Sequence, residues 1–219
     1  MSLERDWPLF GLHIDTPRLS MTYPRDEDLG ALNLVAAEGI HDPAVMPFDI
    51  PWTDAPPEER PRNSLQYWWG LRAGWRPRDW HLVAVVRVDG RVVGSQDLLA
   101  TDFAVRREVS TGSWLGQAYQ GRGIGMEMRA AMLHLAFAGL GADRAVSAAF
   151  ETNAASLGVS RALGYVENGI DIKAPRGVPM RQIRLLLTRQ AWENNRRQDI
   201  QIQGLEPCLA MFGADEKGG

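Results

Sequence analysis

The 219-residue sequence predicts a single mixed α/β (α+β) domain, a sheet crossed by helices, on three observations. Valine-rich runs over 82–88 and 91–99 flank Asp89 and Gly90. That is the strongest short hairpin signal, because a type I′ turn needs positive φ at both central residues. Ile124, Met128, Ala131, Leu135 and Ala138 follow a 4-3-4-3 spacing, the stripe of an amphipathic helix over 124–140. Strand-like and helix-like segments alternate around these two, and no change of composition marks a domain boundary within residues 1–219.

Residues 12–14 and 19–23 read as short strands around the Thr16-Pro17 break. Residues 26–38 read as a helix with Leu29, Leu32, Val35 and Ala36 on one face. Residues 41–61 contain six prolines. Each fixes φ and removes an amide donor, so this is a long irregular loop of the kind that often carries function. Residues 63–74 read as a helix whose Trp68 and Trp69 are expected in the core. After the hairpin, 108–115 is the next strand, 116–125 a turn, 144–150 a strand and 180–187 the last strand. Residues 154–163 form a helix ended by Gly164, and Thr188 caps a final helix through Arg197. Residues 198–219 remain as a C-terminal extension.

Composition narrows the function. Lys and Arg total 24 against 27 Asp and Glu, which argues against a surface that coats nucleic acid, so no direct nucleic-acid binding is expected. The single Cys208 excludes an intramolecular disulfide, a four-cysteine zinc site and a CxxC pair. The four histidines are scattered and form no HExxH, so no metal is expected. The N-terminus has no apolar h-region and no apolar run approaches 18 residues, which predicts a cytoplasmic protein with no membrane partner.

The chemistry concentrates where a strand leads through Gln120, Gly121, Arg122, Gly123, Ile124, Gly125 and Met126 into the long helix. Helix N-termini leave backbone amides unpaired and carry about half a positive charge. Glycines let a phosphate approach those amides without a Cβ in the way. The turn therefore predicts a phosphate or pyrophosphate site. A Walker A loop needs Gly-Lys-Ser/Thr, and no lysine is near. The dinucleotide pattern fails because Met126 or Met128 stands where its last glycine belongs. A turn that merely caps the helix is the plainer alternative.

Residues 120–125 fit the Q/R-x-x-G-x-G/A signature of the GCN5-related N-acetyltransferases (GNAT), which the chain resembles. Asn153 and Ser156, followed by Gly164 and Tyr165, look like that family's N-x-x-S helix ending in G-F/Y. Thr16, Pro17, Arg18 and Leu19 are similar to the first strand of the Rim-type branch, which acylates ribosomal-protein N-termini, and residues 188–192 resemble that branch's end. The loop with His41, Met46, Phe48 and Trp52 is closest to actinobacterial members, some of which use succinyl-CoA.

The resemblance implies a GNAT-like, mostly antiparallel central sheet of about six to seven strands flanked by four or five helices. It implies acyl transfer from acetyl-CoA, or from another acyl-CoA such as succinyl-CoA, to a primary amine on a protein or small molecule. Amides of residues 120–126 would cradle the pyrophosphate, and Arg122 would either reach a phosphate oxygen or stand as a solvated turn arginine. The strand at Ser113, Trp114 and Leu115 would pair with the pantetheine like an added strand. Asn153 would contact the same arm, and its plainer role is a helix N-cap. Ser156 matches a hydroxyl near the sulfur and is the expected acid for the departing thiolate. Its plainer role is a serine bonding back to a carbonyl. Glu108 is the first candidate for the base, with Asp97 and Glu151 in reserve, and water is an alternative to all three. Phe48 and Trp52 are expected to wall the acceptor. A coenzyme A-binding module without catalysis is the competing class, and a homo-oligomer is left open.

Overall fold

Nine strands build one sheet in the computed structural model, which describes residues 2–215. They are β1 (His13–Asp15), β2 (Leu19–Thr22), β3 (Asp79–Val88), β4 (Arg91–Thr101), β5 (Glu108–Leu115), β6 (Arg144–Phe150), β7 (Val166–Lys173), β8 (Met180–Thr188) and β9 (Gln201–Gln203). Their spatial order is β7-β8-β6-β5-β4-β3-β2-β1-β9. Every neighbouring pair is antiparallel except β5 and β6. Those two run parallel because a helix carries the chain between them. The helices are α1 (Leu3–Asp6), α2 (Asp26–Glu38), α3 (Arg60–Gly74), α4 (Phe103–Arg106), α5 (Ile124–His134), α6 (Ala154–Ala162) and α7 (Arg189–Asn195).

The hairpin forms as the sequence predicts. Asp89 and Gly90 have φ of 49° and 76°, both positive, and Val88 pairs with Arg91. α2 starts where Asp28 accepts the Arg25 amide at 2.8 Å, and it buries Leu29, Leu32 and Val35. Leu29 and Leu32 pack with Val85, Leu65, Trp68, Val92 and Trp114 on one face of the sheet. The main core on the other face is filled by α5, which buries eight of its eleven residues.

Several expectations need correction. There are nine strands, two more than the seven read from the pattern. β7 is an edge strand whose Val166, Ile170 and Ile172 face solvent, so no buried alternation marks it. β9 has only three residues and exists because β1 offers it an edge. The helix predicted over 124–140 becomes a π-helix from Leu135 to Gly139, where the Leu140 amide bonds back to the Leu135 carbonyl at 2.8 Å. The extra residue in that turn rotates the stripe, so Ala136 and Phe137 are buried and Ala138 is exposed. Trp68 packs inward, but Trp69 is 46% exposed. The C-terminal segment is built into the fold. Phe212 sits edge-on to Trp80, ring centroids 4.9 Å apart, and the Trp80 indole donates to the Phe212 carbonyl at 3.0 Å. Residues 216–219 of that segment lie outside the described residues.

Candidate functional site

β5 and β6 pair over only three residues, ending at Ser110 and Val146. Beyond that point the Ser147 hydroxyl still donates to the Thr111 carbonyl at 3.3 Å, and the strands then part. The β5 edge at Ser113, Trp114 and Leu115 is thereby left without a strand partner on the β6 side. A slot opens there: Arg129 of α5 reaches both Ser113 of β5 and Ser160 of α6, and the glycine-rich turn follows the end of β5.

The turn holds its shape through glycine and one side chain. Gly121 and Gly123 have φ of 71° and 78°, a region in which other L-residues are strained. A Cβ at Gly121 would meet nothing within 4 Å, so the space in front of the turn is open. Gly123 precedes α5, whose first turn includes Ile124, Gly125 and Met126; the Glu127 amide already bonds to the Gly123 carbonyl at 3.1 Å. The amides ahead of Glu127 are the free donors of a helix start. Gln120 turns its side chain inward, donating to the carbonyls of Ile40 at 2.7 Å and Leu115 at 2.8 Å. It ties the end of β5 to the loop after α2, so only its backbone faces the mouth.

A cleft of about 540 Å³ adjoins this mouth, lined by Arg18, Arg91 and Arg122 with Asp89 and Tyr119. Arg18 donates to the Arg122 carbonyl at 3.1 Å and to Glu127 at 2.7 Å. Thr16 donates to the other Glu127 oxygen at 2.6 Å. Burial pushes the Glu127 pKa up, but the hydrogen bonds from Thr16 and Arg18 and the charges of Arg18 and Arg197 outweigh it. They hold the carboxyl below its ordinary range. Glu127 thus bolts the β1–β2 bend to the first turn of α5.

Inside the slot, Asn153 caps α6, its side chain accepting the Ser156 amide at 3.1 Å. Ser156 is half-buried one turn into the slot wall. Arg129 reaches in from α5 and donates to Ser160 at 2.7 Å and to Ser113 at 3.4 Å. Only 5% of Arg129 is exposed, its Nε has no partner, and no carboxylate pairs with it among the described residues. Burial lowers its pKa, against the opposing influence of Tyr165. The Tyr165 hydroxyl lies 3.5 Å from that of Thr111.

The opposite face of the sheet carries the aromatic loop. Trp114 meets Trp52 at 5.9 Å between ring centroids, Trp52 meets Phe48 at 5.6 Å, and Phe48 meets His41 at 5.6 Å. This loop is clasped to the β7–β8 hairpin. Arg176 forks onto Asp54 at 2.7 and 2.6 Å and donates to the Pro43 carbonyl at 3.0 Å. Phe48 and Trp52 therefore stand together over Trp114, on the face away from α5.

Glu108 lies at the other end of β5 from the turn. Its carboxylate is gripped by Arg106 at 2.5 Å and Arg144 at 2.7 Å. Glu151 pairs with Arg181 at 3.2 Å on the surface. Asp97 accepts from His81 at 3.0 Å on the aromatic face. The sequence reading missed Thr16, Arg18, Glu127 and Arg129. The signal was present: Glu127 and Arg129 flank Met128 within an otherwise apolar helix, and charges inside an apolar stripe need partners.

Fold and site together define an acyl-CoA-dependent N-acyltransferase. Residues 18–166 match the family described as "Acetyltransferase (GNAT) domain", and the chain belongs to that family. Solved structures share the fold. RimJ of Mycobacterium smegmatis in complex with a CoA-disulfide is 18% identical with a TM-score of 0.67, covering 90% of this chain and 92% of that one. RimL, a ribosomal L7/L12 alpha-N-protein acetyltransferase in complex with coenzyme A, is 17% identical with a TM-score of 0.63, covering 79% and 95%. The microcin C7 self-immunity acetyltransferase MccE, in complex with acetyl-CoA and AMP, is 16% identical with a TM-score of 0.62, covering 78% and 93%. No helix among the described residues is long and apolar enough to cross a membrane.

Proposed function

We propose that this chain transfers an acetyl group from acetyl-CoA to a primary amine by direct attack, as a cytoplasmic enzyme of the Rim-type branch. The observation that carries this reading is the parting of β5 and β6 directly ahead of the glycine-rich start of α5. The free amides of residues 121–126 suit a pyrophosphate. Arg18, Arg91 and Arg122 supply positive charge beside it. The unpaired β5 edge at Ser113 to Leu115 suits the two amides of a pantetheine arm, and Asn153, the cap of α6, is the second candidate to contact it.

The amine enters from the face that carries Phe48, Trp52 and Trp114. Its nitrogen attacks the thioester carbonyl, the C–N bond forms, and the C–S bond breaks. Ser156 is the group on the slot wall suited to pass the departing proton to the thiolate. A thiol of pKa near 8.5 is a fair leaving group, so this help is modest. Arg106 and Arg144 both grip the Glu108 carboxylate, which favours a structural anchor over the base for this residue. RimL, an alpha-N-protein acetyltransferase among the structural neighbours, supports a protein N-terminus as acceptor. A spermidine N-acetyltransferase among them supports a small polyamine.

A second reading of the donor has its own support. A succinyl group ends in a carboxylate, which needs a cation inside the pocket. Arg129 is a buried cation with no carboxylate partner among the described residues, between the β5 edge and α6. Thiol release from acetyl-CoA and from succinyl-CoA, against amines and N-terminal peptides, tests both readings. Release with any amine supports acyl transfer, and the preferred donor selects between them. Binding of coenzyme A without turnover on any acceptor overturns catalysis and leaves a binding module.

A further inference from the structure

We propose that His81, held by Asp97, is the general base that takes the proton from the acceptor ammonium; the proposal rests on the acyl-transfer reading above. Register places the pair on the acceptor face. His81 of β3 lies opposite Leu99, which lies opposite Ser110 of β5. Asp97 lies opposite Gly112 of β5 in the next row on the same face. An irregularity of the β3–β4 ladder creates this arrangement. Val86 pairs with Gly94 but Arg87 pairs with Val92, so Val93 is an extra residue in β4. Without it Asp97 would oppose Leu82 and point into the main core, because a one-residue slip sends a side chain to the other face. The bulge brings Asp97 round to His81.

His81 also borders an opening that reaches the point where β5 and β6 part. A cleft of about 350 Å³ is lined by His81 together with Ser110 and Val146, the residues at which β5 and β6 part. Gly112 puts no side chain between Asp97 and that opening; a Cβ there would already touch Asp97 at 3.8 Å. Strands lie about 4.8 Å apart, so Asp97 is one strand and His81 two strands from the β5 edge. A water chain is to carry the proton from an ammonium at the inner end of the slot, where β5 and β6 part.

The chemistry follows from the hydrogen bond. His81 Nε2 meets Asp97 Oδ2 at 3.0 Å, and the side chains are 20% and 21% exposed. With Nε2–H donating to the carboxylate, Nδ1 is the acceptor. His81 Nδ1 takes a proton from the ammonium, and Asp97 stabilises the imidazolium until the cleft returns that proton to water. The neutral amine then attacks, and its second proton leaves with the thiolate. Tyr67 stands edge-on to His81 at 6.3 Å, and burial and then the Asp97 charge push its pKa up to about 12, so it stays neutral. The other charges of the cleft are Asp79, Arg106 and Glu108, the last two paired with each other.

The test is the pH dependence of kcat/KM with two acceptors, one amine of pKa near 10 and one already neutral at pH 7. His81→Gln is expected to lose about 100-fold with the basic amine, several-fold or less with the neutral one, and nothing in coenzyme A affinity. Asp97→Asn, a milder change, is expected to lose less than His81→Gln with the basic amine and as little with the neutral one. Equal losses for both amines, or a pH profile with the basic amine that is unchanged in His81→Gln, overturn the proposal. Absence of thiol release by the wild type with every acceptor overturns the acyl-transfer reading instead, and the dyad's role with it.

Discussion

The Arg129 guanidinium crosses from α5 to the Ser160 hydroxyl of α6 at 2.7 Å, without a carboxylate to neutralise it among the described residues. Burying a charge without a paired countercharge is costly, so an apolar chain of similar length removes that cost at the expense of two hydrogen bonds. Arg129→Met is therefore expected to keep or raise the melting temperature. If the slot holds a succinyl carboxylate, the variant loses at least tenfold in kcat/KM with succinyl-CoA, about 1.4 kcal/mol, and little with acetyl-CoA. Equal losses with the two donors count against that role.

Gly123 stands where the chain enters α5 with φ of 78°, and a Cβ there would lie 3.4 Å from Arg18. Gly123→Glu adds bulk and negative charge at the proposed pyrophosphate site. It also strains the turn by about 1–2 kcal/mol. Calorimetry on the folded variant is expected to show coenzyme A affinity reduced at least tenfold. Undiminished affinity would move the pyrophosphate elsewhere.

Ser156→Ala is expected to lower kcat toward the small end of the ~10²–10⁴-fold range of general acid catalysis. Coenzyme A affinity should barely change, because the Asn153 cap uses the residue-156 amide and not its hydroxyl. Wild-type kcat in this variant removes the acid role.

Glu127 predicts an acid sensitivity of the fold. Its folded pKa is lowered, so the unfolded chain binds more protons as pH falls below about 4.5. The stabilisation is present above the unfolded pKa and is lost as pH drops through the folded one. Glu127→Gln should be less stable than wild type at neutral pH, and its stability should fall less steeply below pH 4.5. Parallel acid denaturation curves for the two proteins would remove Glu127 from this role.

How far the sequence was legible depends on where each pattern had to be read. The Asp89-Gly90 turn, the apolar start of α5 and the glycines before it are local, and each determines its own geometry. Edge strand β7 carries no burial pattern, and the π-turn at Leu135 changes the period within a helix that otherwise reads as regular. Asn153 was readable as a cap because capping is local. Arg129 meets Ser160 across 31 positions, and His81 meets Asp97 only after an irregular ladder has turned the strand. Neither pairing is written in spacing. A perfect hairpin register counted from Asp89-Gly90 would place Asp97 on the wrong face.

The central claim, that coenzyme A lies along the glycine-rich turn and the unpaired edge of β5, is tested most directly by backbone amide NMR during titration with coenzyme A. The predicted result is large shifts for the amides of Gly121, Gly123, Gly125 and Met126, with a second group at Ser113, Leu115 and Asn153. Saturable binding that leaves these amides unmoved would contradict it.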